Sequence, residues 1–122
     1  MARILVAEDE DVVRNVVLRA LAAHGHEAVG VSDGAAALER LSHEGFDLLL
    51  TDIVMPVMDG IALALKVSRD YPALRILMMT GYAEEKRRAH NLDVLIHDVI
   101  SKPFSVPDLM EAVGEALDSE PG

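Results

Sequence analysis

No cysteine occurs in the chain. That rules out a disulfide framework, a thiolate metal site and a cysteine nucleophile together, and it fits a reducing compartment. Positive charge is scarce as well: 11 Lys and Arg stand against 21 Asp and Glu, a formal net charge of -10. Such a surface repels a phosphate backbone, so direct nucleic-acid binding is disfavoured. Long hydrophobic runs are missing too. Met1, Ala2 and Arg3 lead into an apolar Ile4 to Ala7, too short for a signal-peptide core or a membrane span. A cytoplasmic location with no membrane partner is therefore expected. No Gly/Ser linker, low-complexity tract or repeat interrupts residues 1–117. A chain of 122 residues holds one ordinary domain with a core, and not two. The expected organisation is a single domain over 1–117 and a disordered tail over 118–122, without an output domain.

What is there is a regular alternation of short apolar runs and amphipathic segments. Ile4 to Ala7, Ala28 to Val31, Leu48 to Leu50 and Ile76 to Met79 are apolar or nearly so, as strands buried on both faces of a parallel sheet must be. Val12, Val13, Val16, Val17 and Leu21 fall at helical spacing and end at His24 and Gly25. Ala35, Leu38 and Leu41 mark a helix begun near Asp33, and Ile61, Ala64, Leu65 and Val67 mark another. Ser105 is placed to cap a last helix, with Pro107 in its first turn and Val106, Leu109, Met110, Val113 and Leu117 along one stripe. Residues 83–92 read as a fourth helix and 97–101 as a fifth strand. The spacing predicts an α/β fold: five parallel strands with helices on both faces, in right-handed crossovers.

Ligands of an open parallel sheet sit beyond the carboxyl ends of its strands. Five polar residues fall there: Glu8 and Asp9 after the first strand, Asp52 after the third, Thr80 after the fourth and Lys102, before Pro103, after the fifth. Carboxylates packed together repel by about 4 kcal/mol per close pair at an effective dielectric near 20. Such a cluster calls for a hard cation, and an all-oxygen donor set suits Mg2+. A Lys102 ammonium and a Thr80 hydroxyl would then meet phosphoryl oxygens. Together these groups describe phosphoryl transfer to the Asp52 carboxylate, which needs no general base because a carboxylate is ionised at neutral pH. Other polar groups read more plainly. Glu10 and Asp11 favour a following helix N-terminus, Lys86, Arg87 and Arg88 form a solvated helix face, and His24, His26, His43, His90 and His97 lack metal-ligand spacing.

Four segments, Val6-Ala7-Glu8-Asp9, Thr51 through Gly60, Thr80-Gly81 and Ser101-Lys102-Pro103-Phe104, occur in the order found in the receiver domains of bacterial two-component response regulators, typified by the chemotaxis regulator CheY. The resemblance runs from Arg3 to Leu117. It implies the five-stranded flavodoxin-like fold, with Asp52 as the phosphorylated residue. It also implies that Asp9 and Asp52 ligate Mg2+ with the Val54 carbonyl, and that Glu8 acts through water. Thr80 and Lys102 would contact the phosphoryl oxygens, the Lys102–Pro103 bond would be cis, and Met55-Pro56 and Asp59-Gly60 would shape the loop after the third strand, with Gly60 supplying backbone freedom. The implied activity is self-catalysed phosphorylation and dephosphorylation rather than turnover of a separate substrate. The implied partners are a histidine kinase or histidine phosphotransfer protein and a downstream effector protein. Among stand-alone receivers, the Leu49-Leu50-Thr51-Asp52-Ile53-Val54-Met55-Pro56 block resembles cell-cycle regulators of the CpdR type. That implies control of regulated proteolysis through an ATP-dependent protease.

Two departures from the family pattern carry expectations of their own. Val99 stands where many receivers place an aromatic residue, three positions before the strand-five lysine, so relay through that ring is not expected. Val54 and Tyr82 flank the phosphorylation site with apolar or bulky groups that would hinder an attacking water, so slow self-dephosphorylation is expected. The Leu92, Leu95, Ile96 segment is expected to be core, with an exposed partner surface as the alternative. A phosphorelay shuttle without an effector is the rival function. A phosphohydrolase of the haloacid dehalogenase type is disfavoured, since that family wants an Asp where this chain has Val54.

Overall fold

The computed structural model describes residues 2–92 and 95–119. In chain order its elements are β1 (Arg3–Ala7), α1 (Asp11–Ala23), β2 (Glu27–Val31), α2 (Gly34–Leu41), β3 (Leu48–Asp52), α3 (Gly60–Asp70), β4 (Arg75–Thr80), α4 (Ala83–His90), β5 (Asp98–Ser101) and α5 (Val106–Asp118). The strands form one parallel sheet in the order β2-β1-β3-β4-β5. The expected architecture is thus observed, and the order reverses between β1 and β3, where a doubly wound sheet opens a crevice.

Alternation along each strand feeds two cores. Leu5, Ala7, Leu49, Ile76 and Met78 face α2, α3 and α4 through Ala37, Leu41, Leu63, Ala64, Val67 and Ala89. Ile4, Val6, Leu48, Leu50, Leu77 and Met79 face α1 and α5 through Val17, Leu21, Leu109, Val113 and Ala116. Both faces of the central strands are covered, which is why these strands read as unbroken apolar runs. Three helix starts are fixed by side chains: the Asp33 carboxylate accepts from Ala36 N–H at 2.7 Å, Asp59 from Ala62 N–H at 2.8 Å, and the Ser105 hydroxyl from Asp108 N–H at 3.1 Å.

The boundaries move where the sequence signal was mixed. α4 closes at His90 rather than 92, and β5 opens at Asp98 rather than 97, although His97 N–H still donates to Ile76 C=O at 2.7 Å. Ile96 is buried, and Leu92 and Leu95 pack against the first core, so this segment is core as expected; Val94 lies outside the described residues. α5 runs one residue past 117 to Asp118, and Ser119 follows it with its hydroxyl on Ala116 C=O at 2.7 Å. Residues 120–122 of the expected tail lie outside the described residues. Among the described residues, no helix is long and apolar enough to cross a membrane.

The loop after β3 departs from expectation in an instructive way. The left-handed backbone falls on Val57, at φ 70°, and Met58 N–H closes a three-residue turn onto Pro56 C=O at 2.8 Å. Gly60 is required for space and not for φ: a Cβ there would lie 2.1 Å from the Asp52 carbonyl oxygen. Its N–H donates to Ile53 C=O at 2.8 Å, drawing α3 tightly against the end of β3.

Candidate functional site

β1 and β3 lie side by side, with Ala7 opposite Thr51, so the residues that follow them emerge together. Glu8 is fully buried, Asp52 is 5 % exposed and Asp9 is exposed. One carboxylate oxygen from each of Glu8, Asp9 and Asp52 lies within 4.8 Å of the others. Lys102, after β5, reaches into this group: its Nζ donates to Glu8 Oε1 at 2.5 Å and to Asp52 Oδ2 at 2.9 Å. The Lys102–Pro103 bond is cis.

Backbone amides complete the arrangement. Asp52 Oδ1 accepts from Ile53 N–H at 2.8 Å, and Glu8 Oε2 from Glu10 N–H at 3.1 Å. Three carboxylates against one ammonium leave two negative charges in a largely dry setting, and all donors are hard oxygens. That set fits a hard divalent cation. The charges show in the titration behaviour. Desolvation, then the hydrogen bond and charge of Glu8, push the Asp9 carboxyl above its ordinary range. Burial opposes the charge on Lys102, but hydrogen bonds and attraction from Glu8 and Asp52 outweigh it and raise its pKa.

An open cavity of about 300 Å³ lies over these groups, lined by Asp9, Glu10, Asp52, Val54, Gly81, Tyr82 and Lys102. Val54 is 44 % and Tyr82 63 % exposed, so both stand at its mouth. Thr80 lies on the same edge but is turned aside: its Oγ accepts from Tyr82 N–H at 3.2 Å, and among the described residues its side chain makes no hydrogen bond to Asp52 or Lys102. Its carbonyl accepts from Lys102 N–H at 2.8 Å, tying β4 to the lysine.

The structure thus gathers Glu8, Asp9, Asp52 and Lys102 into one pocket, sets Val54 on its rim and leaves Thr80 adjacent. The family model for the response regulator receiver domain matches residues 4–114. The chain belongs to the response regulator receiver family. It is 41 % identical to the response regulator receiver protein CpdR of Brucella abortus, over 96 % of this chain and 98 % of that protein. A CheY-like receiver domain protein of Methanospirillum hungatei superposes with a TM-score of 0.89 at 30 % identity, covering 97 % of this chain and 94 % of that one. The response regulator TrrA of Thermotoga maritima, solved in complex with Mg(2+)-BeF, gives 0.86 at 27 % identity, covering 95 % and 99 %.

One contact of this receiver has no counterpart in the sequence reading. Arg14, on α1, donates from one guanidinium nitrogen to Glu8 C=O at 2.8 Å and from the other to Asp11 Oδ1 at 2.5 Å. The available signal was Gly30, an isolated glycine inside β2, which marks a close approach: a Cβ there would stand 2.8 Å from Leu18 Cδ1 and 3.0 Å from Arg14 Cδ.

Proposed function

We propose that this receiver is a phospho-acceptor switch in the cytoplasm whose Asp52 takes a phosphoryl group from a histidine kinase or histidine phosphotransfer protein. The observation that carries this is the Asp52 carboxylate, held by Ile53 N–H and the Lys102 ammonium and opening into a cavity beside Asp9. The carboxylate attacks phosphorus of the donor phosphohistidine; the P–N bond breaks, a P–O bond forms on Asp52, and the imidazole leaves with the electron pair. Asp9 and Asp52, with the Val54 carbonyl and Glu8, would hold Mg2+, which when bound would neutralise charge on the transferring oxygens. Lys102 exchanges its bond to Asp52 for one to a phosphoryl oxygen, and its fixed backbone makes that a short movement. Thr80 leaves Tyr82 N–H to donate to another oxygen.

The donor protein docks in an apolar groove of about 330 Å³ formed by Val12, Val13, Val16 and Val17 with Pro103 and Phe104. Lys102 lines both this groove and the phosphoryl cavity, and Val12 and Val16 are 76 % and 55 % exposed. That continuity supports a single approach path to Asp52.

Output is a change in affinity for another protein. Val99 is 4 % exposed and offers no ring to rotate, so coupling runs through Thr80, whose release of Tyr82 N–H frees the start of α4. Lys86 of α4 donates to Ser101 of β5 at 3.0 Å, next to Lys102. Kinship with CpdR supports an effector in regulated proteolysis, through an ATP-dependent protease. Val54 and Tyr82 at the cavity mouth screen the acyl phosphate from water, so self-dephosphorylation is slow; a phospho-Asp52 half-life on the order of seconds in the isolated protein would refute this. Pull-downs with wild type and Asp52→Ala, with and without beryllofluoride and Mg2+, test the switch. A partner that discriminates those states supports it, and transfer to a second histidine protein with no such partner favours the phosphorelay shuttle.

A further inference from the structure

The Glu8–Asp9 peptide joins two of the three carboxylates of the site, and its orientation sets the backbone from which Asp9 departs. Glu8 N–H is fixed to Val31 C=O at 3.0 Å, as an extension of the β1–β2 ladder. Glu8 C=O has left the sheet and accepts from the Arg14 guanidinium at 2.8 Å. Because the peptide unit is planar and trans, holding that carbonyl also sets the direction of Asp9 N–H and the start of the Asp9 side chain. The Arg14 side chain is only 18 % exposed. Its second nitrogen is on Asp11 and its stem crosses the space left by Gly30, so the guanidinium approaches from one defined direction.

We infer that Arg14 is a positioning residue for the cation site, clamping the Glu8–Asp9 peptide so that Asp9 faces Asp52. The inference rests on the proposed Mg2+ site, and the sign of one measurement separates it from its rivals. As a bare charge near three carboxylates, Arg14 repels a cation, so its removal would tighten Mg2+ binding. As a purely structural side chain it would change stability and leave affinity alone. As a clamp it supports binding, and supporting residues of this kind are worth about 10- to 100-fold in metal affinity.

The test is Mg2+ titration by isothermal calorimetry, with circular dichroism as the check of fold, on wild type, Arg14→Met, Arg14→Gln, Arg14→Lys and Gly30→Ala. Arg14→Met is expected to weaken Mg2+ binding about 10-fold or more. Arg14→Lys, which keeps the charge and one donor but loses the rigid fork, is expected to recover only part of it. Gly30→Ala, whose Cβ would crowd both Leu18 Cδ1 at 2.8 Å and Arg14 Cδ at 3.0 Å, is expected to weaken binding less than Arg14→Met. Wild-type or tighter affinity in folded Arg14→Met overturns the inference. If Arg14→Met does not fold, wild-type or tighter affinity in folded Arg14→Gln overturns it instead. A wild-type protein that binds no Mg2+ overturns the proposed site itself, a different result from one that binds Mg2+ equally with and without Arg14.

Discussion

At the N-terminal edge of the sheet Arg3 meets Glu27, Glu44 and Asp47, while at the C-terminal edge Lys102 meets Glu8 and Asp52 with Asp9 beside them. The ingredients are alike, one cation among three acids. At the Arg3 end the acids are spread around a planar fork. One nitrogen goes to Glu27 at 3.2 Å, another to Glu44 at 2.7 Å and a third to Gly45 C=O at 2.6 Å, while Asp47 takes the Arg3 backbone N–H and the guanidinium lies 4.7 Å from the Phe46 ring centroid. The side chains there are 30–52 % exposed. At the Lys102 end one compact ammonium serves two carboxylates that are 0 % and 8 % exposed, and a third acid is close by. The first cluster ties β1 to the loop before β3; the second is left with unbalanced negative charge, two of its acids buried and Asp9 exposed. Arginine suits the fixed staple because its donors are rigid, and lysine suits the proposed phospho-acceptor site because its charge could follow a phosphoryl oxygen.

The sharpest way to break this contrast is to remove each cation. Lys102→Met leaves Glu8 buried without its counter-ion and is expected to cost about 3 kcal/mol in urea denaturation without divalent ions. Added Mg2+ should recover part of that loss. Arg3→Met is expected to cost clearly less, because water takes over the exposed acids. Equal losses from the two substitutions would erase the distinction.

A smaller effect sharpens it. Val57 is β-branched, 83 % exposed and at positive φ, so the loop after β3 carries backbone strain. Val57→Gly is expected to raise stability by roughly 1 kcal/mol in the same assay, since glycine adopts positive φ without a Cβ clash. No gain would mean that the turn is relaxed.

The smallest effect is a pH dependence at the Arg3 end. The hydrogen bond from Arg3 holds the Glu44 carboxyl below its ordinary value of 4.5. A depressed folded pKa gives stability that is fully present above 4.5 and is lost as pH falls through the lower folded value. Arg3→Met should therefore flatten the acid limb of a thermal-denaturation series. An unchanged limb would remove Arg3 as its cause.

The contrast also bears on what the sequence could disclose. Strands buried on both faces advertise themselves; Glu8 follows β1 and Asp52 and Thr80 end β3 and β4, so their convergence was legible from topology, while Lys102 follows the partly exposed β5 and is marked by Pro103 instead. The contacts that hold them were not legible. Arg14 reaches Glu8 C=O from three residues into α1, through a gap at Gly30 on a different strand, and only the packing of α1 against β2 makes that approach visible. Gly60 invited a conformational explanation when the cause is a backbone approach to Asp52, and Val57 conceals its strain because nothing in its identity signals a left-handed turn. The Thr80 hydroxyl is oriented by a backbone N–H two residues on, a choice residue type does not encode. α4 was hardest to delimit because its polar sequence offers one fully buried side chain, Ala89, and so little periodicity.

The central claim, that Asp52 is the phosphoryl acceptor of a cation-dependent site, is tested most directly by intact-protein mass spectrometry after incubation with a small acyl-phosphate donor. Wild type is expected to gain one phosphoryl group with Mg2+ and none with chelator, and Asp52→Asn is expected to gain none in either. Equal labelling of Asp52→Asn, or labelling of wild type that ignores Mg2+, would contradict the account.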